Sequence, residues 1–285
     1  IDVVFDLELF SRNSSLMSYL TGAWTRVGYY GYHSEGLYRG SHQTHKVSYN
    51  PHMHISRNFL AQVMALDAPP DEHPMVKAEI PEDEMRLPVL EAKEENAARM
   101  LRRLRDGDPS LKSGKLIIVN TYAGDMLPTR AWSLSNYLRL IERLLTDPDV
   151  SVVLMGIERA SEHAREIQTA LGSNRIIDMT NKTSFRELID LFSVCDMLIT
   201  NDSGPAHFAS LTPIHVLTLF GPETPALYSP LGERSVTFFA GLACSPCLSA
   251  YNHRKTTCVD NKCMQAISVD EVYGTAARLL NLETQ

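Results

Sequence analysis

From Lys115 onward, short continuous apolar runs alternate with amphipathic stretches of helix length, and no other feature limits the fold of this chain so strongly. The runs are Leu116-Ile117-Ile118-Val119, Val150 to Met155, Ile176-Ile177, Met197-Leu198-Ile199-Thr200 and Val216-Leu217-Thr218-Leu219-Phe220. Between and after them the spacing predicts helices over Leu134 to Leu145, Ala160 to Leu171, Ser184 to Val194, Pro205 to Ser210 and Val269 to Leu282. Ser133 or Ser135 is placed to cap the first of these. Thr183 or Ser184, with Glu187 three or four residues on, is placed to form a capping box. Strands that are apolar along their whole length are buried on both faces. Separated by helices of crossover length, they form a parallel sheet with helices on each side.

The first half is less regular. Val3 to Leu7 reads as a buried strand, Ser11 to Leu20 as a helix with Leu16, Met17, Tyr19 and Leu20 on its apolar face, and Arg26 to Tyr30 as a short strand. Gly31 to Pro51 reads as loop, and His52 to Leu66 as a helix burying Ile55, Phe59, Leu60, Val63 and Met64. Ala68 to Pro88 is dense in Pro, Asp and Glu and suits an exposed connection. Glu91 to Arg105 reads as a charged helix with Ala97, Leu101 and Leu104 inward. The expected division is residues 1–110 for an N-terminal lobe and 111–285 for a C-terminal lobe. Because Ile1 begins directly on a strand, the N-terminal lobe is expected to lack its first strands.

Composition excludes several classes. With 285 residues, 44% hydrophobic and 21% charged, the chain is globular rather than disordered. A formal charge of -7 offers no electrostatic reason to bind nucleic acid. No apolar run is long enough to span a bilayer, and no signal-peptide pattern is present, so a cytoplasmic location is expected.

The turns that follow the strands carry the chemistry, since ligands of open parallel sheets gather at the carboxyl ends of strands. The strongest is Thr200-Asn201-Asp202-Ser203-Gly204-Pro205-Ala206-His207, a strand, a tight turn and a helix start. Ser203 and Gly204 can present backbone N–H groups to a phosphate, and Gly204 has no Cβ to hold it away. His207 can face the same anion, while Asp202 is suited to orienting those N–H groups or a ribose hydroxyl. The alternative reading makes Asp202 a helix cap and His207 a core residue. Gly221 and Thr224 of Phe220-Gly221-Pro222-Glu223-Thr224-Pro225 either contact a phosphate or sugar or form an ordinary turn. Thr121, after the strand ending at Val119, places a hydroxyl at the strand end. Arg130 is either a fixed cation for a leaving diphosphate or a solvated loop charge. Glu158, after Met155-Gly156-Ile157, is placed to hold a ribose.

Taken together, Asp202 to His207, Leu219-Phe220-Gly221-Pro222, Ala131-Trp132-Ser133 and Gly156-Ile157-Glu158 resemble glycosyltransferase family 9, the heptosyltransferases of the lipopolysaccharide inner core. The resemblance runs over Lys115 to Leu282 and more loosely over Ile1 to Leu66. It implies an α/β fold of GT-B type, two Rossmann-like lobes whose parallel sheets face across a cleft. It implies an inverting transfer of a sugar, typically heptose, from a nucleotide diphosphate donor such as ADP-heptose to a glycolipid or oligosaccharide acceptor at the membrane surface. By resemblance Thr121 and Arg130 meet the phosphates, Glu158 the ribose and Thr183 the adenine, with Asp202, Ser203, Gly204 and His207 completing the donor site. The family usually has Lys where Arg130 stands. Its general base, an Asp in an early Gly-Asp turn, has no match here. Asp6 and Glu8 do not occupy that position. A nucleotide-sugar epimerase and a non-catalytic nucleotide-sugar-binding scaffold are the alternatives. No cofactor is required by the implied chemistry.

Cys244-Ser245-Pro246-Cys247 with Cys258 and Cys263 stays open between a structural zinc site, reduced thiols and disulfides, with His253 as a substitute ligand. Tyr29, Tyr30, Tyr32, His33, Arg39, His42, His45 and Lys46 form an aromatic and basic segment suited either to a sugar-phosphate acceptor or to plain surface.

Overall fold

The computed structural model describes residues 1–9, 11–30, 39–69, 71–80, 86–107, 111, 114–125, 127–249, 251, 252 and 254–282. They fall into two compact units. The first comprises 1–86, 226–228 and 246–257; the second comprises 87–225, 229–245 and 258–285.

In the first unit, strands β1 (Val3–Asp6), β2 (Thr25–Tyr29) and β3 (His45–Val47) pair in parallel in that order. β3 lies inside the segment expected to be loop. Its polar His45 and Lys46 give no apolar run to detect, and the strand exists through its backbone pairing with β2. Helix α1 (Arg12–Leu20) is capped by Ser11, whose side chain accepts from Ser14 N. Its expected apolar face is reversed: Leu16, Met17, Tyr19 and Leu20 are exposed, while Ser15 and Ser18 are buried. Small hydroxyl side chains permit close packing, and Ser18 Oγ donates to Gln43 Oε1 at 3.4 Å. Helix α2 (Ile55–Met64) likewise buries Asn58, Ala61 and Gln62 rather than Val63. Asn58 Nδ2 ties down the preceding turn through Asn50 O (3.0 Å) and Met53 O (2.9 Å). The strand expected to be buried, β1, exposes Val3 and Phe5 at the edge of this sheet and buries Asp6.

The second unit opens with α3 (Glu94–Gly107) and continues through β4 (Lys115–Asn120), α4 (Leu134–Leu144), β5 (Val150–Leu154), α5 (Ser161–Leu171), β6 (Ile176–Asp178), α6 (Glu187–Val194), β7 (Met197–Asn201), α7 (Gly204–Ala209), β8 (His215–Phe220), α8 (Pro225–Tyr228), β9 (Ser235–Phe239), α9 (Lys262–Gln265) and α10 (Val269–Leu280); of these, α8 belongs mainly to the first unit. The six strands are all parallel, in the order β6-β5-β4-β7-β8-β9. β9 follows no expectation from the sequence; its Val236 and Thr237 are only half-buried at the sheet edge.

Alternation along each strand sorts side chains into two layers. Ile117, Val119, Val152, Ile199 and Leu217 pack with Tyr137 and Leu140 of α4, Ile167 of α5 and Val272 of α10. Ile118, Val153, Leu198 and Val216 pack on the other face with Met100 and Leu104 of α3, Phe192 of α6 and Ala206 of α7. The chain steps outward from β4 to β5 and β6, then returns to the other side of β4 with β7. The order reverses between β4 and β7, so a crevice opens at their carboxyl ends.

The capping box is present. Ser184 N donates to Glu187 Oε2 at 2.8 Å, and Glu187 N donates to Ser184 Oγ at 3.4 Å. The backbone and side-chain hydrogen bonds from Ser184, then Arg103, hold the Glu187 carboxyl below its ordinary pKa. A carboxyl depressed on folding stabilises above its unfolded pKa and ceases to do so as pH falls through the folded value. Ser184→Ala should therefore cost about 1 kcal/mol at neutral pH and less in acid, once Glu187 is protonated. Urea unfolding of both proteins at neutral and acid pH checks this; an equal loss at both would remove Glu187 from the explanation.

Candidate functional site

The reversal point is built from asparagines and hydroxyls. Asn120, the last residue of β4, donates from Nδ2 to Thr200 Oγ1 at 3.1 Å and to Ser203 Oγ at 3.5 Å. Its Oδ1 accepts from Tyr122 N at 3.3 Å, which turns the chain after β4. Thr200 Oγ1 and Ser203 Oγ lie 2.9 Å apart. Asn201, fully buried at the end of β7, donates from Nδ2 to Thr121 O at 3.2 Å, and its Oδ1 accepts from Trp132 N at 2.8 Å. The connection from β4 to α4 and the one from β7 to α7 are thereby locked by buried amides. The side-chain amides of Asn120 and Asn201 each both donate and accept, which favours a single arrangement of the two connections.

A cavity of about 350 Å³ sits on this base. Its polar side is made by Asn120, Tyr122, Arg130, Thr183 and Ser203, and its apolar side includes Met155, Ile157, Leu188 and Pro205. Arg130 closes a short 3-10 turn, Pro128–Arg130, and Nη1 reaches Asp202 Oδ2 at 3.3 Å while Nη2 donates to Ala123 O at 3.0 Å. The side chain of Arg130 is 19% exposed and that of Asp202 8%, so the pair is largely shielded from water. Arg130 Nε is buried with no hydrogen-bond partner among the described residues. The loop that supplies Ala123 O turns at Gly124, whose φ of 88° suits glycine.

Of the residues picked out from the sequence, Arg130, Thr183, Ser203 and Gly204 line this cavity. Gly204 faces open space, with nothing within 4 Å of where a Cβ would stand. Asp202 is buried beside Arg130, and Thr121 is buried with its hydroxyl 3.0 Å from His163 Nδ1. Glu158 and His207 are exposed and do not line it. Gly221 does not reach the cavity lining; a Cβ there would stand 2.4 Å from Met264 Sδ.

Asn120, Asn201 and His163 carry no sequence pattern that marks them. Only their place at strand ends, for the two asparagines, could have singled them out.

In the first unit, Arg39 forms a buried ion pair with Asp6, whose Oδ2 also accepts from Gln43 Nε2 at 3.2 Å. Asp6 is thus a framework carboxylate, and Arg39 and the buried Tyr29 are framework too. Tyr30, with Lys46 4.7 Å above its ring, together with His42 and His45, is only half-buried. Tyr32, His33 and His253 lie outside the described residues. No three His, Cys, Asp or Glu side chains among the described residues are grouped to hold a metal ion. Cys244 is exposed, Cys263 is buried, and no disulfide joins the cysteines among the described residues.

This architecture matches solved structures over almost the whole chain. The structure of the Escherichia coli ADP-heptose LPS heptosyltransferase II aligns with a TM-score of 0.70 at 19% identity, covering 98% of this chain and 76% of that one. A glycosyl transferase family 9 structure from Veillonella parvula aligns at 0.69 and 17%, covering 98% and 74%. The fold is that of a GT-B type α/β protein. The profile of glycosyltransferase family 9 (heptosyltransferase) matches residues 2–257, and the chain belongs to that family. It is 26% identical over 175 residues to lipooligosaccharide heptosyltransferase 2 of Campylobacter jejuni, covering 60% of this chain and 53% of the relative. It is 30% identical over 111 residues to the Haemophilus influenzae protein of the same name, covering 38% and 32%. The chain therefore spans about half or less of the length of these relatives.

Proposed function

We propose that the cavity of the second unit holds a nucleotide diphosphate sugar, ADP-heptose by analogy with the relatives, and that the protein transfers the heptose to a lipopolysaccharide-core acceptor with inversion. The observation that carries this reading is Arg130, the one charged side chain among the described residues lining that cavity. A cation fixed before the ligand arrives needs little reorganisation when charge develops on a leaving diphosphate. The apolar side of the cavity suits a nucleobase, with Thr183 at its edge.

In the proposed reaction a carboxylate takes the proton of the acceptor hydroxyl as that oxygen attacks the anomeric carbon. The bond to the diphosphate breaks on the opposite face, and Arg130 with nearby backbone N–H groups stabilises the leaving oxygens. Asp202 acts by holding Arg130. Asp6, already engaged by Arg39 and Gln43, is not assigned as the base. The chemistry so written calls on no metal ion. Among the described residues no helix is long and apolar enough to cross a membrane. We place the reaction at the cytoplasmic face of the membrane that carries the acceptor.

Thermal melting with ADP-, UDP- and GDP-sugars tests the donor site. A ligand at one hundred times its Kd adds about 2.7 kcal/mol, or roughly 5–10 °C for a domain of this size. The ADP sugar should give the largest rise, and Asp202→Ala should diminish it. Failure of all three to raise the melting temperature would overturn the assignment.

A further inference from the structure

The segment that carries Cys258 and Cys263 is left without a role by the donor site as described, yet it touches the backbone on which Arg130 is mounted. Asn261, the residue before α9, donates from Nδ2 to Thr129 O at 3.0 Å and to Ala131 O at 2.9 Å. Those two carbonyls flank Arg130. One residue further on, Trp132 N is held by Asn201, and Trp132 Nε1 donates to Ile267 O at 3.0 Å, just after α9. Thr129, Ala131 and Trp132 are therefore pinned from outside their own turn, on both sides of Arg130. Three of the four bonds arise from the stretch Asn261 to Ile267.

That stretch is itself anchored. Met264 and Cys263 are buried against Gly221, with Cys263 Sγ 3.0 Å and Met264 Sδ 2.4 Å from where a Cβ on Gly221 would stand. Any larger residue at 221 forces the Met264 side chain to shift. Ser245 Oγ donates to Gly221 O on the same turn. The Phe220-Gly221-Pro222 turn, the cysteine-bearing helix and the Arg130 loop form one contiguous support.

We propose that Asn261 is a positioning residue for Arg130, and that the segment from Asn261 to Ile267 acts as a strut fixing the phosphate-binding cation. This rests on the donor-site reading above. Two carbonyls accepting from one amide hold the peptide units on either side of Arg130 in a single orientation. The reach of the guanidinium toward Asp202 and Ala123 O follows from that orientation. Without the amide, Arg130 keeps its charge but loses its fixed direction, and the cost falls on the phosphates alone.

The test is calorimetric titration of wild type, Asn261→Ala, Arg130→Ala and the double variant with ADP and with adenosine, which lacks phosphates. Asn261→Ala should weaken ADP binding roughly tenfold, the effect of misplacing one charge-assisted contact, and leave adenosine unchanged. The double variant should bind ADP no more weakly than Arg130→Ala alone. Asn261→Asp, of the same shape but without the amide donor, should repeat the loss, and serves in place of Asn261→Ala if that variant does not fold. Unchanged ADP binding, equal losses for ADP and adenosine, or additive losses in the double variant would each overturn the strut. Failure of the wild type to bind ADP at all would overturn the donor site instead.

Discussion

Arg130→Ala should lower the rate of sugar transfer by about 10²–10³, a loss of roughly 2.7–4 kcal/mol of transition-state stabilisation. The size follows from three features. Arg130 is the charged side chain in the cavity lining, it is largely shielded from solvent, and Asp202 and Ala123 O fix its direction. The charge it meets is greatest as the bond to the diphosphate breaks, so kcat should fall more than KM rises. Removing it also leaves Asp202 without its ion pair to Arg130, which costs stability. Arg130→Lys separates the two effects. It keeps a cation beside Asp202 but loses the planar fork that bonds Asp202 and Ala123 O together. The lysine variant should retain a melting temperature near wild type and an intermediate rate. Steady-state kinetics of the three proteins decides the matter. A kcat for Arg130→Ala within threefold of wild type would mean that the leaving group is stabilised elsewhere.

The second unit was legible because its strands are buried on both faces. Continuous runs such as Leu116 to Val119 and Met197 to Thr200 leave few other folds open, and β4, β5, β7 and β8 lie within a residue or two of where the runs place them. The switch-point turn at Asp202 to Gly204 was legible for the same reason. The first unit was not, because its burial is polar. Ser15, Ser18, Asn58 and Gln62 face inward while Leu16, Met17 and Val63 face out, so a reading based on apolar periodicity assigns the wrong faces. Strand β3 is short and polar for its length and was hidden in the same way. At the site, residues named for chemical character, Arg130 and Ser203, reach the cavity. The amides that hold them, Asn120, Asn201 and Asn261, act through contacts across 69 to 132 positions of sequence. No local spacing encodes such contacts.

Tyr137 shows how far the site depends on the core beneath it. Its side chain is fully buried in the layer formed with α4, and its ring meets that of Trp132 edge-on at 5.0 Å. Its hydroxyl donates to Asn120 O at 3.3 Å, at the end of β4, and burial pushes its pKa far above the ordinary phenol value. One residue thus supports both Asn120, which lines the cavity, and Trp132, which anchors the Arg130 loop. Tyr137→Ala should cost about 3–5 kcal/mol, the loss typical of a buried aromatic, and lower the melting temperature by roughly 10 °C or more. Tyr137→Phe keeps the ring and removes only the hydroxyl, so its cost should be about 1 kcal/mol. Nucleotide affinity should follow the ring, not the hydroxyl: Tyr137→Ala weakens ADP binding even well below its melting temperature, and Tyr137→Phe does so little. If Tyr137→Ala melts early but binds ADP as tightly as wild type, the Asn120 and Trp132 loops keep their geometry without the ring, and the coupling of core to site proposed for this residue is wrong.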